Sequence, residues 1–469
     1  MIILSLQNDL TTGNIRTQIL KFAFPLIISN FFQALYNAVD MFFVGRYTGT
    51  IGLSAVSVCG PIMNIMIMTI SGLSIGVAIV IAKYVGNKHI EDVKKSANSA
   101  IALYLVLSLI VSFFGYLFTP YILKLVNTPV QAFSAATDYL HVIFIGIIFM
   151  FGYNLISAFQ RGFGDSKSSM YFVITAGLFN IILDYIFVAL LNKGAFGAAL
   201  ATVMSQAISL IMGIVYFRMK KHVITFHPKE IRIYKNHLIR LLTAGLPAAG
   251  QQLLLNVSLL TLSGIANSFG LVYSAVYGIG IKIDSFAVLP SDAINMSLVS
   301  FVSQNIGGGK PDRATKALKE AIKLGICISV VIAAIILLFS YQIVSIFNSD
   351  HEVIGATIDY LKIAAISYII YAVIHPFIGF IRGSGNAIQT LINVVFSQYL
   401  IRIPVAIICT NFFGFSGVPM AVIAGPTFSL LMYGYFIISG RWKKSHDYQE
   451  MIIYNDNNKA GNSNEIDLK

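Results

Sequence analysis

Charged residues are scarce in this chain of 469 residues, of which 11% are charged and 57% are hydrophobic. A soluble domain carries about 25% charged residues, so the composition excludes an ordinary water-soluble protein. Cysteine is scarce too: Cys59, Cys327 and Cys409 stand far apart in apolar stretches, without the spacing of a zinc or redox motif. We interpret them as free packing thiols. The sequence also has no HExxH motif, and we predict that the chain is not an enzyme.

Long apolar runs occupy most of the chain. A helix needs about 20 mostly apolar residues to cross the hydrocarbon core of a membrane. Twelve runs meet this requirement, at 17–44, 52–82, 97–118, 136–160, 168–191, 195–217, 238–268, 271–303, 317–341, 357–381, 388–411 and 417–439. We therefore predict an all-α integral membrane protein with twelve transmembrane helices.

The basic residues predict the orientation in the membrane. A formal net charge of +12 could indicate a nucleic-acid partner, but the lysines and arginines lie in short loops between apolar runs. Most occur in alternate loops, such as 83–95, 218–240 and 310–319, whereas the opposite loops contain few. Since cytoplasmic loops carry the excess of Lys and Arg, we expect a multi-pass plasma membrane protein with both termini in the cytoplasm, and no nucleic-acid partner.

The two halves of the sequence repeat each other at an offset of about 221 residues. The matching positions are Pro25 and Pro247, Asp138-Tyr139-Leu140 and Asp359-Tyr360-Leu361, and Arg161-Gly162 and Arg382-Gly383. Each half has an even number of spans, so the repeats are parallel and related by a pseudo-two-fold axis along the membrane normal, as in many transporters. We predict an N-lobe at 1–217, a cytoplasmic connector at 218–237, a C-lobe at 238–440 and a polar cytoplasmic tail at 441–469.

Two carboxylates lie well inside spans of the first half, and an intramembrane ionisable residue is a functional candidate. Asp40 and Asp184 both fall within roughly 10 Å of the outer end of their spans. Asn180 precedes Asp184 by four residues and so shares its helix face, and Thr202 lies at a similar depth. Such hard oxygen ligands suit Na⁺, and close carboxylates suit proton uptake. The alternative is four polar groups that only pack helices.

The second half does not repeat this cluster, because apolar residues (Leu262, Ile401, Val405 and Val422) occupy the equivalent positions. A single coupling site in the N-lobe is therefore expected. The second half has its own charges inside spans, which are Lys282, Asp284, Asp292, His375 and Arg402. A structural ion pair of Asp284 with Arg402 or Lys282 is one interpretation, and a substrate-facing role is the other. His375 precedes Pro376 and could mark a helix kink.

These features resemble the MATE (multidrug and toxic compound extrusion) family, in its bacterial DinF-type and NorM-type branch, over residues 15–440. The resemblance rests on FPLIISNFFQALYNAVDMFFVGR at 24–46, FNIILDYIFV at 179–188 and GAALATVMSQ at 197–206. It implies two six-helix lobes and export of amphipathic or cationic drugs by a Na⁺ or H⁺ antiporter that works by alternating access. It also implies a coupling site at Asp40, Asn180, Asp184 and Thr202, with Pro25 and Tyr36 at positions linked to bending of the first helix. The seventh helix lacks the carboxylate that some members carry there.

A lipid-linked precursor flippase of the same broader superfamily is the alternative function. Lys282 and Arg402 favour it mildly, whereas the twelve spans and the Asp40–Asp184 cluster count against it. A scaffold without transport activity is a further alternative. As partners we expect small drugs and the lipid bilayer, with no cofactor other than the coupling ion and a monomeric chain.

Overall fold

A computed structural model describes residues 9–220, 222–224, 226–445 and 448–449 of the chain, and within these residues it contains helices and turns but no strand. Eleven helical runs are long and apolar enough to cross a membrane. The last of them, Ala387–Ile438, has 52 residues and would be about 78 Å long if straight, far more than one hydrocarbon core. Gly414 adopts a φ of 60° and separates it into two helical segments. The prediction of a twelve-helix membrane protein is thus confirmed.

Helices of the first half extend beyond the predicted apolar spans. Helix α3, for example, covers Ile90–Leu125 where the apolar run predicts only 97–118. At 36 residues it is about 54 Å long, so its ends continue past the membrane core into polar sequence. The bounds are α1 Ile15–Tyr47, α2 Gly49–Gly86, α3 Ile90–Leu125, α4 Val130–Gly162, α5 Ser166–Asp184 and α6 Gly194–Met219.

The second half repeats this pattern with one additional short helix, α10, which the sequence did not predict. Its bounds are α7 Lys235–Asn267, α8 Leu271–Gly307, α9 Pro311–Leu338, α10 Ser340–Ser345, α11 His351–Gly383, α12 Ala387–Val394, α13 Ile403–Phe413 and α14 Gly417–Ile438. Helices α12 and α13 are joined by the π-helical segment Val395–Arg402, and together they form one continuous rod.

The chain divides into two compact units. Unit 1 contains Phe24–Gly245, and unit 2 contains Asp9–Ala23 together with the chain from Leu246 onward. The division therefore falls inside α1 and α7, next to Pro25 and Pro247. In unit 1, α4 packs against α2, α3 and α6; in unit 2, α11 packs against α8, α9 and α14. The fourth long helix of each half is thus the centre of its unit.

The start of the described chain is attached to unit 2. Backbone carbonyls of residues 10–13 accept hydrogen bonds from the side chains of Asn305, Lys310 and Arg313, at distances between 2.8 and 3.1 Å. The Leu10 N–H donates to Gln304 Oε1 at 3.2 Å. These bonds satisfy the polar backbone before α1 begins, and they fix that end of α1 to the α8–α9 turn.

Local backbone features repeat between the halves. Gly164 and Gly385 both adopt positive φ, 80° and 83°, a conformation that glycine adopts without steric cost. The fifth long helix of each half contains a π-helical segment, Tyr185–Leu190 and Val395–Arg402. Such segments are rare and frequent at functional sites. In both halves an ionisable residue stands at an end of the segment: Asp184 precedes the first and Arg402 ends the second.

Candidate functional site

Two helices of unit 1 bring a pair of carboxyl groups together. Asp40 lies near the end of α1, and Asp184 is the last residue of α5. Their side chains lie within hydrogen-bonding reach of each other. Asp184 is completely buried, and Asn180, one turn earlier on the same face, is 2% exposed. The contact that their similar depth in the sequence predicts is therefore present in the structure.

Oxygen atoms of this cluster have no hydrogen-bond donor among the described residues. Both carboxylate oxygens of Asp184, one oxygen of Asp40 and the amide oxygen of Asn180 are buried and unpartnered. A buried polar atom without a partner costs about 1–3 kcal/mol, and more when it is charged. Most buried polar groups in proteins are paired, so these four oxygens are candidates for a compensating proton or cation.

The chemistry of these oxygens restricts which group can pair with them and neutralise their negative charge. Carboxylates only accept hydrogen bonds, and two of them in contact cannot both stay charged without compensation. A proton shared between the carboxyls or a small cation bound by them satisfies both requirements. Within the described residues, no group of three or more His, Cys, Asp or Glu side chains could hold a metal ion. The carboxylate and amide oxygens therefore suit a proton or a hard alkali cation better than a transition metal.

Thr202 lies on α6, which packs against α5. Its hydroxyl donates to the Ala198 carbonyl oxygen of its own helix at 3.1 Å, and the residue is half-buried. The hydroxyl proton is therefore used locally, whereas its oxygen lone pairs remain available to a cation.

Tyr36 joins α1 to the same face of α5. A Cβ atom added to Gly177 would lie 2.8 Å from the Tyr36 ring, so the ring rests directly on the glycine backbone. Gly177, Asn180 and Asp184 follow one another at helical spacing, and Tyr36 precedes Asp40 by one turn. The pairs Tyr36–Gly177 and Asp40–Asp184 therefore hold one stretch of α1 against one stretch of α5. Pro25 lies inside α1, where it removes a backbone hydrogen bond and permits bending.

Sequence reasoning missed two residues of this site, Gly177 and Tyr139. Tyr139 on α4 is 7% exposed. It lies close enough to Asp40 and Asp184 to interact electrostatically with both carboxyl groups. A signal was available for Tyr139, because it stands in the Asp-Tyr-Leu motif that recurs at Asp359-Tyr360-Leu361. For Gly177 the sequence carries no comparable signal.

Unit 2 also contains a partly buried carboxylate, but its partners are different. Asp284 on α8 accepts a hydrogen bond from the Tyr360 hydroxyl at 2.8 Å and another from the Tyr368 hydroxyl at 2.5 Å. Tyr360 belongs to the repeated Asp-Tyr-Leu motif. Each oxygen of Asp284 thus has a donor, in contrast to the unpartnered oxygens of Asp184.

The remaining charges of the second half do not form the expected ion pairs with Asp284. Arg402 Nη1 donates to Gln398 Oε1 at 2.9 Å, and among the described residues neither Arg402 nor Lys282 makes a salt bridge to Asp284. The two tyrosines occupy the positions that a cation would need. Lys282 is exposed, so its interpretation as a buried charge is wrong: it lies on the outward face of α8 with Gly278 and Ser285. Asp292 is half-exposed and lies 3.7 Å from His375 Nδ1.

A helical membrane protein with two repeated halves and a buried, uncompensated carboxylate pair has the features of a secondary transporter. The profile of the MatE family matches residues 25–186 and 247–408, once in each half. The chain belongs to the MatE family.

Individual relatives agree with this assignment over nearly the whole length. The probable multidrug resistance protein YoeA of Bacillus subtilis (strain 168) is 29% identical over 434 residues, which cover 90% of this chain and 93% of that protein. The probable multidrug resistance protein NorM of Thermotoga maritima is 25% identical over 92% of this chain and 94% of its own. A crystal structure of MATE in complex with MaL6 has a TM-score of 0.88 at 22% identity, covering 93% of this chain and 99% of that one. An outward-facing multidrug resistance MATE transporter also reaches 0.88 at 22% identity, covering 95% and 99%.

Proposed function

We propose that this chain is a secondary active multidrug efflux transporter that exchanges drugs for Na⁺ or H⁺ by alternating access. One observation carries the proposal: in the part of the chain that the structure describes, the buried oxygens of Asp40, Asn180 and Asp184 have no donor. A coupling ion that binds and leaves in each cycle needs such a site. Relatives along the whole chain carry multidrug resistance and export names, which supports drugs as the exported substrates.

The coupling step follows from electrostatics. When a proton or cation is bound, the carboxyls of Asp40 and Asp184 attract through it and α1 stays against α5. When the ion leaves, two adjacent negative charges repel each other, by several kcal/mol at the effective dielectric of a protein. Asp40 then moves away from Asp184, and Pro25 provides the point at which α1 bends. Ion release and helix movement are thereby the same event.

The positive-inside rule supports a plasma membrane protein with both termini in the cytoplasm. A cysteine-free variant with one added cysteine at Lys88, and a second with one at Lys193, tests this orientation in intact cells. A membrane-impermeant maleimide should label Lys193→Cys and leave Lys88→Cys unlabelled until the cells are lysed. The reverse result contradicts the orientation. We also propose that the monomer is the functional unit, which the mass of the reconstituted protein can test.

The decisive experiment for the function uses purified protein in liposomes, with a Na⁺ gradient and a pH gradient imposed separately. Wild-type protein should export ethidium under at least one of them. Asp40→Asn should abolish this efflux, because an amide neither binds nor releases the proton and carries no charge for Na⁺. Glu91→Gln is the matched control, since Glu91 is a surface carboxylate paired with Lys95 at 2.7 Å. Efflux that survives in Asp40→Asn contradicts the coupling site, and translocation of lipid headgroups without drug efflux favours the flippase.

A further inference from the structure

One face of α8 is accessible although it lies at membrane depth. Among the residues of α8 that are not buried, which include Phe286 at 48% exposure, one set recurs at intervals of four and three, at Gly278, Lys282, Ser285, Leu289, Asp292 and Met296. Between 291 and 300 only Asp292 and Met296 are not buried. The midpoint of α8 is Leu289, so Asp292 lies about 5 Å from it. A carboxylate is thus accessible near the centre of a transmembrane helix.

The composition of this stripe differs from that of a lipid-facing surface. Helix α3 also exposes side chains at membrane depth, but between 105 and 121 all of them are aliphatic or aromatic, from Leu105 to Tyr121. The α8 stripe instead contains Lys282, Ser285 and Asp292. Because charged side chains within a membrane face the bundle interior or a water-filled cavity rather than lipid, the composition of the α8 stripe indicates a surface turned away from lipid.

The Asp292 carboxylate is held from one side and open on the other. Its side chain is 44% exposed. Asn295 Nδ2 donates to Asp292 Oδ1 at 3.3 Å, and His375 Nδ1 lies 3.7 Å from the same oxygen. Only the Asn295 amide is within hydrogen-bond distance of this oxygen among these two neighbours, and the exposed side of the carboxylate is free for a ligand.

Two other basic side chains belong to the surroundings of Asp292. Arg382, on α11 with His375, is buried and close enough to Asp292 for the two charges to interact, and its Nη2 donates to Gln251 Oε1 at 2.7 Å. Lys282 is ten residues away on the same helix face, which is about 15 Å. A histidine is the closest basic group, and it lies behind the carboxylate. The accessible side of Asp292 thus presents a negative site between apolar neighbours, Leu289 and Met296, one turn away on each side.

We propose that Asp292 is the residue of unit 2 that selects organic cations: its carboxylate binds the positive group of the substrate, and Leu289 and Met296 contact the apolar body. Asn295 is a positioning residue that donates a hydrogen bond to the carboxylate. The proposal rests on the drug-export function and adds to it a residue that discriminates substrates by charge. Binding to this carboxylate is distinct from ion coupling at Asp40 and Asp184 in unit 1.

Equilibrium binding to purified protein tests the proposal separately from transport. Asp292→Asn should weaken the binding of ethidium and of tetraphenylphosphonium about tenfold or more, because a charge-assisted interaction is lost. Binding of N-phenyl-1-naphthylamine, a neutral apolar probe, should change less than about twofold. Asp292→Glu should retain most of the cation affinity. The control is Asp359→Asn, which removes an exposed carboxylate paired with Lys362 at 2.9 Å.

An equal loss for cationic and neutral probes, with a lower unfolding temperature, shows a structural role for Asp292 and overturns the proposal. Unchanged ethidium affinity in Asp292→Asn overturns it as well. The function and this inference fail independently. Protein that binds ethidium through Asp292 but exports nothing under any gradient contradicts drug export, whereas export with no dependence on Asp292 contradicts only the charge selectivity.

Discussion

The carboxylates Asp184 in unit 1 and Asp284 in unit 2 differ in the hydrogen-bond donors that the protein provides for their oxygens. In unit 2, Asp284 accepts one hydrogen bond on each oxygen, from Tyr360 and Tyr368. In unit 1, Asp184 is more deeply buried yet neither of its oxygens has a donor. A satisfied carboxylate stabilises packing and has no need of a ligand. An unsatisfied one is stable only with a proton or cation, so the comparison supports our proposal that the coupling ion binds in unit 1.

The same repeated motif contributes to both clusters, which shows how the halves diverged. Tyr139 lies beside Asp40 and Asp184, and its counterpart Tyr360 donates to Asp284. The tyrosine stands on the central helix of each unit, whereas the carboxylates near it stand on different helices. In unit 1 they stand on α1 and α5, and in unit 2 Asp284 stands on α8. The halves therefore share the scaffold and the tyrosine, but they differ in the position of the carboxylates around it.

The largest effect that this comparison predicts is the loss of coupling in Asp184→Asn. The substitution leaves one carboxyl at the site, so a proton or Na⁺ is no longer bound between two of them. Gradient-driven ethidium efflux from liposomes should fall to the level of protein-free vesicles, while the variant remains folded. Asp284→Asn, tested in the same assay, should retain efflux under the gradient that drives the wild type. Equal loss of efflux in both variants would remove the distinction between the two units.

The free energy of unfolding should depend more on Asp284 in unit 2 than on Asp184 in unit 1. Asp284→Ala leaves the hydroxyls of Tyr360 and Tyr368 buried without an acceptor, and it removes the negative charge near Arg402. The free energy of unfolding should fall by about 3 kcal/mol. Asp184→Ala removes oxygens that have no donor, so it should cost less at a pH where the site holds no proton. Thermal unfolding followed by size-exclusion chromatography measures both, with Asp359→Ala as the surface control. A larger loss in Asp184→Ala would contradict our interpretation of Asp284 as structural.

Much of this architecture could be predicted from the sequence, because apolar length and loop charge are local signals. The twelve spans, the repeated Gly164 and Gly385 turns and the shared depth of Asp40 and Asp184 all follow from position along the chain. The tyrosine partners of Asp284 and the Tyr36–Gly177 contact do not, since they depend on how helices rotate against each other. Lys282 illustrates the difference: the sequence places it inside a predicted span, but the face of α8 on which it lies needed the structure.

The attachment of residues 10–13 to unit 2 shows a similar limit. The Gly-Gly-Gly-Lys sequence at 307–310 resembles part of a phosphate-binding loop, although Pro311 follows it and Gln304 occupies the first glycine position of such a loop. In the structure Lys310 donates to the Thr11 carbonyl oxygen at 2.9 Å. Residues almost 300 positions apart are in contact there, and no sequence pattern in either segment predicts this contact. The basic side chains of this turn hold the chain that leads into α1.

A smaller effect is predicted for the contact through which α1 meets α5 in unit 1. Gly177→Ala places a methyl group 2.8 Å from the Tyr36 ring, so Tyr36 must shift away from α5 and Asp40 with it. Overpacking of this kind costs about 1–3 kcal/mol, and 1 kcal/mol corresponds to about fivefold in a rate. We expect ethidium efflux about fivefold slower and a weaker dependence on the coupling ion. Gly60→Ala is the matched control, because a Cβ atom there meets nothing within 4 Å, and a helical alanine is slightly more stable than glycine. If both alanines leave efflux and its ion dependence unchanged, Tyr36 does not position Asp40, and the asymmetry between the units rests on the carboxylates alone.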